Sequence, residues 1–333
     1  MDAEKKIVKP PILYKETQQI IKAIEEKEQV KLFTYWNSVN GSICQNDVIA
    51  IFEIIKDWNV QDKIYMFVKS DGGDGKASLR IINLLRQHTK KLTVILQGEC
   101  TSAATMLALG ADEILMGPLA YLSAVDTSIT HDLSPVDKNN SLVSVSQDEL
   151  SRVLNLWNKE SNGQSNPYHD LYQHIHPLVF GAVDRASSLS IKLCTEILSY
   201  HMEDKEKVHE ISQHLNAGYP SHGYPITLRE AQRIGLNANP LDKCLNDLFS
   251  KLNNLYSQMG QRALTDYDEN NYHNNEIINI MEADSIQIYY QNDKDWYYRS
   301  EERRYIPMND NSSWYEINGS LGTKFTSKAF QIR

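Results

Sequence analysis

The sequence predicts an α/β protein with a parallel sheet covered by helices, then a helical extension and a small C-terminal β-rich module. Two observations favour this fold class. Strand-like and helix-like segments alternate between about residues 30 and 130, and the strand segments are apolar on both faces. Strands buried on both faces are typical of parallel sheets with helical crossovers. We expect one domain over residues 1–262 and the module over residues 263–333.

The first βα unit consists of a short buried strand and an amphipathic helix. The strand is expected over residues 31–36 (KLFTYW). Ser42 and Gln45 have the spacing of a capping box at the start of a helix. Apolar residues then recur at i, i+3, i+4 and i+7, which marks one helix face: Val48, Ile51, Phe52 and Ile55.

The same alternation continues through three more strands. Residues 63–68 and 91–97 are expected to be strands, with a helix over residues 76–88 between them. A helix of small residues follows over residues 102–109, and a fourth strand over residues 112–116. Such βα repeats favour right-handed crossovers between parallel strands.

Beyond residue 146 the pattern becomes helical. Ser146 to Glu149 (SQDE) forms a second capping-box pattern, and a long helix is expected over residues 177–202. The polar stretch 160–166 is expected to be a loop. Thr227 should cap a short helix that Gly235 ends.

The C-terminal module contains two aromatic segments. Residues 285–290 and 296–299 are expected to pair as a hairpin that turns across Asn292 and Asp293. The aromatic side chains could form a binding platform, but cross-strand packing is the favoured interpretation: Tyr289, Tyr290, Trp296, Tyr297 and Tyr298.

Composition restricts the function classes. The chain is 41% hydrophobic and 23% charged, with a net charge of −9 that argues against a general nucleic-acid or anionic-membrane surface. The opening residues do not form a secretory signal, and there is no apolar run of about 18 residues for a membrane span. The four cysteines form no CxxC pair, which fits reduced thiols in a cytoplasmic protein.

No metal or cofactor site is predicted. The histidines of residues 168–176 (YHDLYQHIH) have spacings of two and five residues, and the usual pair of metal ligands on a helix is spaced i, i+4. We therefore interpret His169, His174 and His176 as non-metal residues.

A glycine pair at residues 70–75 (SDGGDG) raises a chemical possibility. One βα unit later, Ser102 follows a strand and starts a helix. An N–H of Gly72 or Gly73 and the N–H of Ala103 could converge beside the Ser102 hydroxyl as an oxyanion hole. The structural alternative is a turn that needs glycine and a serine that merely caps a helix.

These segments resemble a known superfamily. The run 68–129, with VKSDGGDG, CTSAATMLALGADEI and GPLAYLSAVD, is similar to the core of the Clp/crotonase superfamily. Within it, the sequence most resembles the serine dehydrogenase proteinases, which are related to signal peptide peptidase A. The matching run covers roughly residues 60 to 130, and SHGYPITLREAQRIGL at residues 221–236 gives a weaker match.

The resemblance implies a crotonase/Clp-like sheet with ββα units and the residues of an acyl-transfer site. It makes Ser102 the nucleophile and Gly72, Gly73 and Ala103 the oxyanion donors. Asp71 stands where the family usually has proline, so the choice between the two glycines stays open. The implied activity is that of a cytosolic, ATP-independent serine peptidase that needs no cofactor, cleaves a peptide or protein and forms a homo-oligomer.

Two other functions remain compatible with the sequence. A crotonase-like acyl-CoA enzyme would use the same oxyanion hole for a thioester enolate, although no CoA-specific signal is found. A catalytically silent scaffold would keep the fold to bind a peptide or partner.

The sequence does not decide which residue is the general base of this site. His131 stands in THDLSP, where signal peptide peptidase A supplies a lysine, and its ordinary pKa suits a base near neutral pH. Asp126 would orient the base or serve as a structural cap. His222 in the SHGYPI segment and a lysine are the remaining candidates.

Overall fold

The computed structural model describes residues 6–137, 141–160, 166–320 and 325–332. Within them, twelve strands form one mixed sheet whose main path runs β14-β13-β11-β10-β1-β2-β3-β4-β8. Three further strands attach at its sides: β12 pairs with β11, β5 with β3 and β9 with β10. The α/β fold class expected from the sequence is confirmed.

The strands have these bounds: β1 (Lys31–Asn37), β2 (Gln61–Ser70), β3 (Thr89–Cys100), β4 (Glu113–Met116), β5 (Tyr121–Leu122), β6 (Ser128–Ile129), β7 (Val145–Ser146), β8 (Ala238–Pro240), β9 (Ala263–Asp266), β10 (Asn271–Ala283), β11 (Ile286–Arg299), β12 (Arg304–Met308), β13 (Ser313–Asn318) and β14 (Thr326–Phe330). The helices have these: α1 (Tyr14–Glu28), α2 (Gln45–Ile55), α3 (Gly75–Gln87), α4 (Ala103–Leu109), α5 (Gln147–Glu160), α6 (Pro167–Leu171), α7 (Pro177–Leu198), α8 (Lys205–Ala217), α9 (Leu228–Arg233) and α10 (Lys243–Met259).

The parallel part of the sheet consists of β1, β2, β3, β4 and β8. Ile64 of β2 lies beside Leu92 of β3 in parallel register, as the sequence predicted. Alternate side chains of β2 enter two hydrophobic cores, with Met66 on one face and Phe67 on the other. The first core contains α2, α3, α4 and α7, and the second contains α1 and α10. Burial on both faces explains the continuous apolar strands.

The C-terminal strands extend this sheet in antiparallel fashion. Thr34 of β1 pairs with Glu282 of β10, so β10 lies against the outer edge of β1. Strands β11, β13 and β14 follow outward. The domain boundary at residue 262 stays a prediction, while the β-rich character of residues 263–320 and 325–332 is observed.

The predicted hairpin within residues 285–299 is wrong. Residues 286–299 form the single strand β11, and Asn292 lies mid-strand opposite Glu276. The turns lie instead at residues 284–285 and 300–303. Charged residues in the middle of the strand gave the false turn signal, because polar side chains of β10 and β11 face each other there. The predicted cross-strand packing is confirmed, since Tyr289 stacks on its partner Tyr315 with ring centroids 5.5 Å apart.

Helix boundaries also differ locally from expectation. The predicted capping box at Ser42 is wrong, because α2 starts after Cys44, whose N–H donates to the Asp47 carboxylate over 2.8 Å. At Ser146 the predicted box is confirmed, with the Ser146 N–H donating to Glu149 over 3.0 Å. Gly235 ends the α9 segment at φ +95°.

Some expectations fall at the margins of the structure. Of the predicted loop at 160–166, residues 161–165 lie outside the described residues, as do the opening residues 1–5. Among the described helices, none is long and apolar enough to cross a membrane.

Candidate active site

The glycine turn after β2 lies directly against the Ser102 turn after β3. A Cβ added at Gly72 would come within 2.8 Å of the Ser102 Cβ and 2.8 Å of the Thr101 carbonyl oxygen. Both turns leave the carboxyl ends of adjacent parallel strands, which meet at one edge of the sheet. The Gly72 backbone at φ +107° therefore permits a contact that a side chain would prevent.

Ser102 has a strained backbone, with φ 55° and ψ −121°. Its N–H donates to the buried Ser123 hydroxyl over 2.9 Å, which holds this conformation. Thr105 in turn accepts from the Ser123 N–H over 3.1 Å. Ser102 occupies the N-cap position of α4, but its side chain makes no capping hydrogen bond. Strain of this kind, in a serine whose hydroxyl is not used for capping, is typical of a functional position.

The two glycines differ in the use of their N–H groups. The Gly72 N–H donates to the Ser70 hydroxyl over 3.1 Å. Gly73 is flanked by two bonds to Ile43, one from the Ile43 N–H to the Gly72 carbonyl and one from the Asp74 N–H to the Ile43 carbonyl, each 2.8 Å. In this parallel bridge Gly73 is the central residue, and its own N–H points away from Ile43.

This pattern favours Gly73 over Gly72 as an oxyanion donor. In the part of the chain that the structure describes, neither the Gly73 N–H nor the Ala103 N–H has an acceptor. Ala103 is the first residue of α4, where helix N–H groups lack partners inside the helix. Two unused donors thus remain beside Ser102.

His222 and Asp126 form a pair on the same side of the molecule. The His222 Nδ1 lies 2.8 Å from the Asp126 carboxylate. An antiparallel bridge between Leu122 and Ile226 brings the two segments together, with bonds of 3.0 and 2.8 Å. Tyr224 stacks on Tyr219, with ring centroids 4.9 Å apart, and supports the loop that carries His222.

The electrostatics of this pair suit a base that is held in one orientation. The hydrogen bond to the Asp126 carboxylate raises the pKa of His222 above its ordinary value, while desolvation acts in the opposite direction. Because Asp126 accepts from Nδ1–H, the neutral imidazole keeps Nε2 unprotonated and able to take a proton.

Ser102, Asp126 and His222 line one cavity of about 320 Å³. Gly73, Ala103 and the cationic Lys76 also line this cavity. Five apolar residues line the same cavity and are called its apolar wall below: Met106, Val125, Ala186, Leu189 and Leu193. The cavity thus combines a hydroxyl, an imidazole–carboxylate pair and two backbone donors.

His131 is not among the described residues that line this cavity. It lies in a local turn where its Nδ1 accepts from the Leu133 N–H over 3.0 Å and its N–H donates to Ser134 over 3.0 Å. The Nδ1 of His131 is thus already engaged in a hydrogen bond within this turn. The assignment of His131 as base stays an untested prediction from the sequence.

Sequence reasoning missed the residues that support the turns. Ser70 and Ser123 each accept a backbone N–H from a site residue, and both side chains are fully buried. Serine in a strand or loop carries no signal for such a contact. Within the described residues, no group of three or more His, Cys, Asp or Glu is placed to hold an ion.

A known family model matches the N-terminal part of the chain. Residues 2–145 match the family model of ClpP-like SDH-type serine proteinases, which confirms the resemblance seen in the motifs. Two uncharacterized proteins of Methanocaldococcus jannaschii are similar. One is 26% identical over 53% of this chain and 52% of its own length, and the other 25% identical over 68% and 70%. The chain spans about half the length of the first of these relatives.

Among solved structures, the similar chains include two mutants of the 1510-N membrane-bound stomatin-specific protease. They cover 70% and 69% of this chain and 88% and 81% of their own, at 14% and 15% identity and TM-scores of 0.38 and 0.36. A ClpP1 mutant from Listeria monocytogenes covers 71% of this chain and 99% of its own, at 14% identity and a TM-score of 0.37. Values this low do not carry an activity from one chain to another.

Proposed function

We propose, with the family match over residues 2–145 as the premise, that this protein is a serine peptidase with Ser102 as nucleophile. The observation that carries the proposal is that Ser102 and the His222–Asp126 pair line one cavity. The Gly73 and Ala103 N–H groups complete the requirements of acyl transfer.

The proposed reaction follows the chemistry of these groups. The Ser102 Oγ attacks the peptide carbonyl carbon while His222 Nε2 takes the hydroxyl proton. The N–H groups of Gly73 and Ala103 stabilise the negative oxygen of the tetrahedral intermediate. The C–N bond then breaks, and His222 returns the proton to the leaving amine. Water hydrolyses the acyl-enzyme in a second round of the same proton transfers.

Further expectations belong to this proposal. We expect a cytoplasmic protein that works without ATP and assembles into a homo-oligomer, as the resemblance implies. Light scattering of the purified chain tests the assembly, and a monomer would contradict it.

A fluorophosphonate probe tests the proposal directly, because an activated serine Oγ displaces its fluoride and becomes phosphonylated. We expect covalent labelling of the wild-type protein that is lost in Ser102→Ala. The control is Ser212→Ala, which removes a buried serine hydroxyl on α8, away from the cavity. Absence of labelling in a folded wild-type sample would contradict the peptidase and favour the silent scaffold.

A further inference from the structure

The loop between β1 and α2, residues 38–44, connects the glycine turn to the C-terminal strands. On one side, Ile43 forms the two 2.8 Å backbone bonds that flank Gly73. Since Gly73 has no side chain and sits at φ +143°, these bonds are what orients its N–H. A Cβ at Gly73 would lie 2.4 Å from the Ile43 carbonyl oxygen, so the two backbones are in close contact.

On its other side, the loop is held by β10. The Asn279 side-chain amide donates to the Ser42 carbonyl over 3.0 Å and to the Asp47 carboxylate over 2.9 Å. The Ser38 N–H donates to the Ile278 carbonyl over 2.9 Å. Asn40 donates to both carboxylate oxygens of Glu276 at 3.0 Å. Four residues of the loop and its helix therefore depend on one short stretch of β10.

A β-bulge in β10 leaves its residues 276–279 free to contact the loop. The register between β10 and β11 shifts between Ile277 and Asn279, so Ile278 has no partner residue on β11. A bulge of this kind frees backbone groups and redirects neighbouring side chains. The loop and β10 are in close backbone contact here, because a Cβ at Gly41 would lie 2.1 Å from the Ile278 carbonyl oxygen.

The Asp47 carboxylate of α2 binds both the end of the loop and β10. It accepts from Asn279, from the Tyr35 hydroxyl over 2.6 Å and from the Cys44 N–H over 2.8 Å. Asp47 is fully buried, and Asn279 is 3% exposed. Burial raises the pKa of Asp47 to about 6, which its hydrogen-bond donors partly oppose. Loss of one donor therefore leaves a buried polar group without its partner, which is costly.

We propose that Asn279 is a positioning residue of the active site: from the C-terminal strand β10 it fixes the loop that directs the Gly73 N–H toward Ser102. This inference rests on the proposed function. Asn279 acts through Ser42, Asp47 and Ile43 and does not line the cavity.

Asn279→Ala tests the role through labelling kinetics with the fluorophosphonate probe. A misplaced catalytic group costs up to about 100-fold in rate, so we expect the maximal labelling rate to fall by about 10- to 100-fold. The probe concentration for half-maximal rate and the pH inflection set by His222 should stay unchanged, because neither the apolar wall nor the base is altered.

Gln287→Ala is the matched control. Gln287 is also buried on a C-terminal strand and donates to the Glu282 carboxylate over 2.6 Å, but it does not contact the loop. It should lower the melting temperature without slowing labelling. Should Asn279→Ala fail to fold, Asn40→Ala loosens the same loop at an exposed residue and should slow labelling by a smaller factor.

Amide hydrogen exchange gives a readout that does not need activity. In Asn279→Ala we expect faster exchange of the Ile43 and Asp74 N–H groups, and no such change in Gln287→Ala. Equal labelling and equal exchange in Asn279→Ala and wild type would overturn the positioning role alone. An unlabelled but folded wild type would instead overturn the proposed function, and this role with it.

Discussion

The parallel and antiparallel parts of the sheet bury different chemistry. Strand β2 buries a nearly continuous apolar run between two layers of helices, and its only buried polar residues, Lys69 and Ser70, lie at its carboxyl end. Strand β10 buries His273, Asn275, Glu276, Asn279 and Glu282 along its length. In β2 the buried polar groups are therefore confined to the end of the strand. In β10 they occur along the strand and hold neighbouring elements through hydrogen bonds.

Glu282 is a buried carboxylate of β10 whose hydrogen bonds hold neighbouring elements. Its carboxylate accepts from Thr17, Gln18, Tyr256 and Gln287 at 2.6 to 2.8 Å. Burial raises the pKa of Glu282 to about 7, and these donors oppose the rise. The comparison indicates that the parallel part carries the candidate chemistry while the antiparallel part holds α1, α10 and the β1–α2 loop against it.

The largest expected effect is at the carboxyl end of the parallel part. In Gly73→Val the new side chain would meet the Ile43 backbone, so the donor must move. Loss of one oxyanion donor typically costs about 100- to 1000-fold, and we expect the labelling rate to fall by that factor. Gly235→Val is the control, because Gly235 also has a positive φ, +95°, but lies outside the cavity. Equal labelling in both variants would make the glycine pair a turn only.

The second prediction concerns the base. Removing the Asp126 carboxylate by Asp126→Asn removes the main cause of the raised pKa of His222. His222 must be neutral to accept a proton, so wild-type labelling should rise with pH through an inflection above about 6.5. In Asp126→Asn the inflection should move to lower pH, and the plateau rate should fall by at least about tenfold.

A matched histidine variant sharpens this test. His222→Ala should lose the inflection, whereas His131→Ala should keep both inflection and plateau. The reverse result would return the base to His131, as the sequence alone had suggested.

A smaller effect is expected where the parallel part supports its own nucleophile. Ser123→Ala leaves the Ser102 N–H without its acceptor, which should cost about 1–3 kcal/mol in the free energy of unfolding. The strained Ser102 backbone would also relax, so labelling should slow by about tenfold. Denaturant unfolding and labelling of the same sample check both effects. Ser212→Ala should show only the loss of stability.

The smallest functional effect is expected in the outer antiparallel strands. Tyr298 packs on Tyr305 across β11 and β12, with ring centroids 5.2 Å apart. Tyr298→Ala should cost about 0.5–1.5 kcal/mol of stability and leave the labelling rate unchanged. A slower rate would mean that these aromatic residues form part of a binding surface after all.

The same contrast explains how far sequence reasoning could reach. Periodicity predicts β2, α3, β3 and α4, because local patterns and short crossovers determine them. The glycine–serine juxtaposition follows from adjacent parallel strands. The pairing of β10 with β1 could not be predicted, since it joins residues about 250 apart and buries side chains that look solvent-exposed in the sequence.

The candidate site was predictable to the same limited extent. Ser102 and the glycines lie within one βα unit of each other, whereas His222 meets Asp126 through long-range pairing that includes the Leu122–Ile226 bridge. No local pattern distinguishes His222 from His131 as the base. The missed first helix, α1, packs on the sheet through Tyr14, Ile21 and Ile24, a pattern interrupted by charged residues.

The Leu122–Ile226 bridge has a consequence for the order of events during synthesis and folding. Asp126 and His222 are 96 residues apart in the chain, and closing a loop of that length is slower than forming local βα contacts. Ser102, Gly73 and Ala103 therefore leave the ribosome well before His222 can join them. A nascent chain would hold an incomplete candidate site until residues 221–226 have been made, and the β1–α2 loop would gain its contacts with β10 only after that.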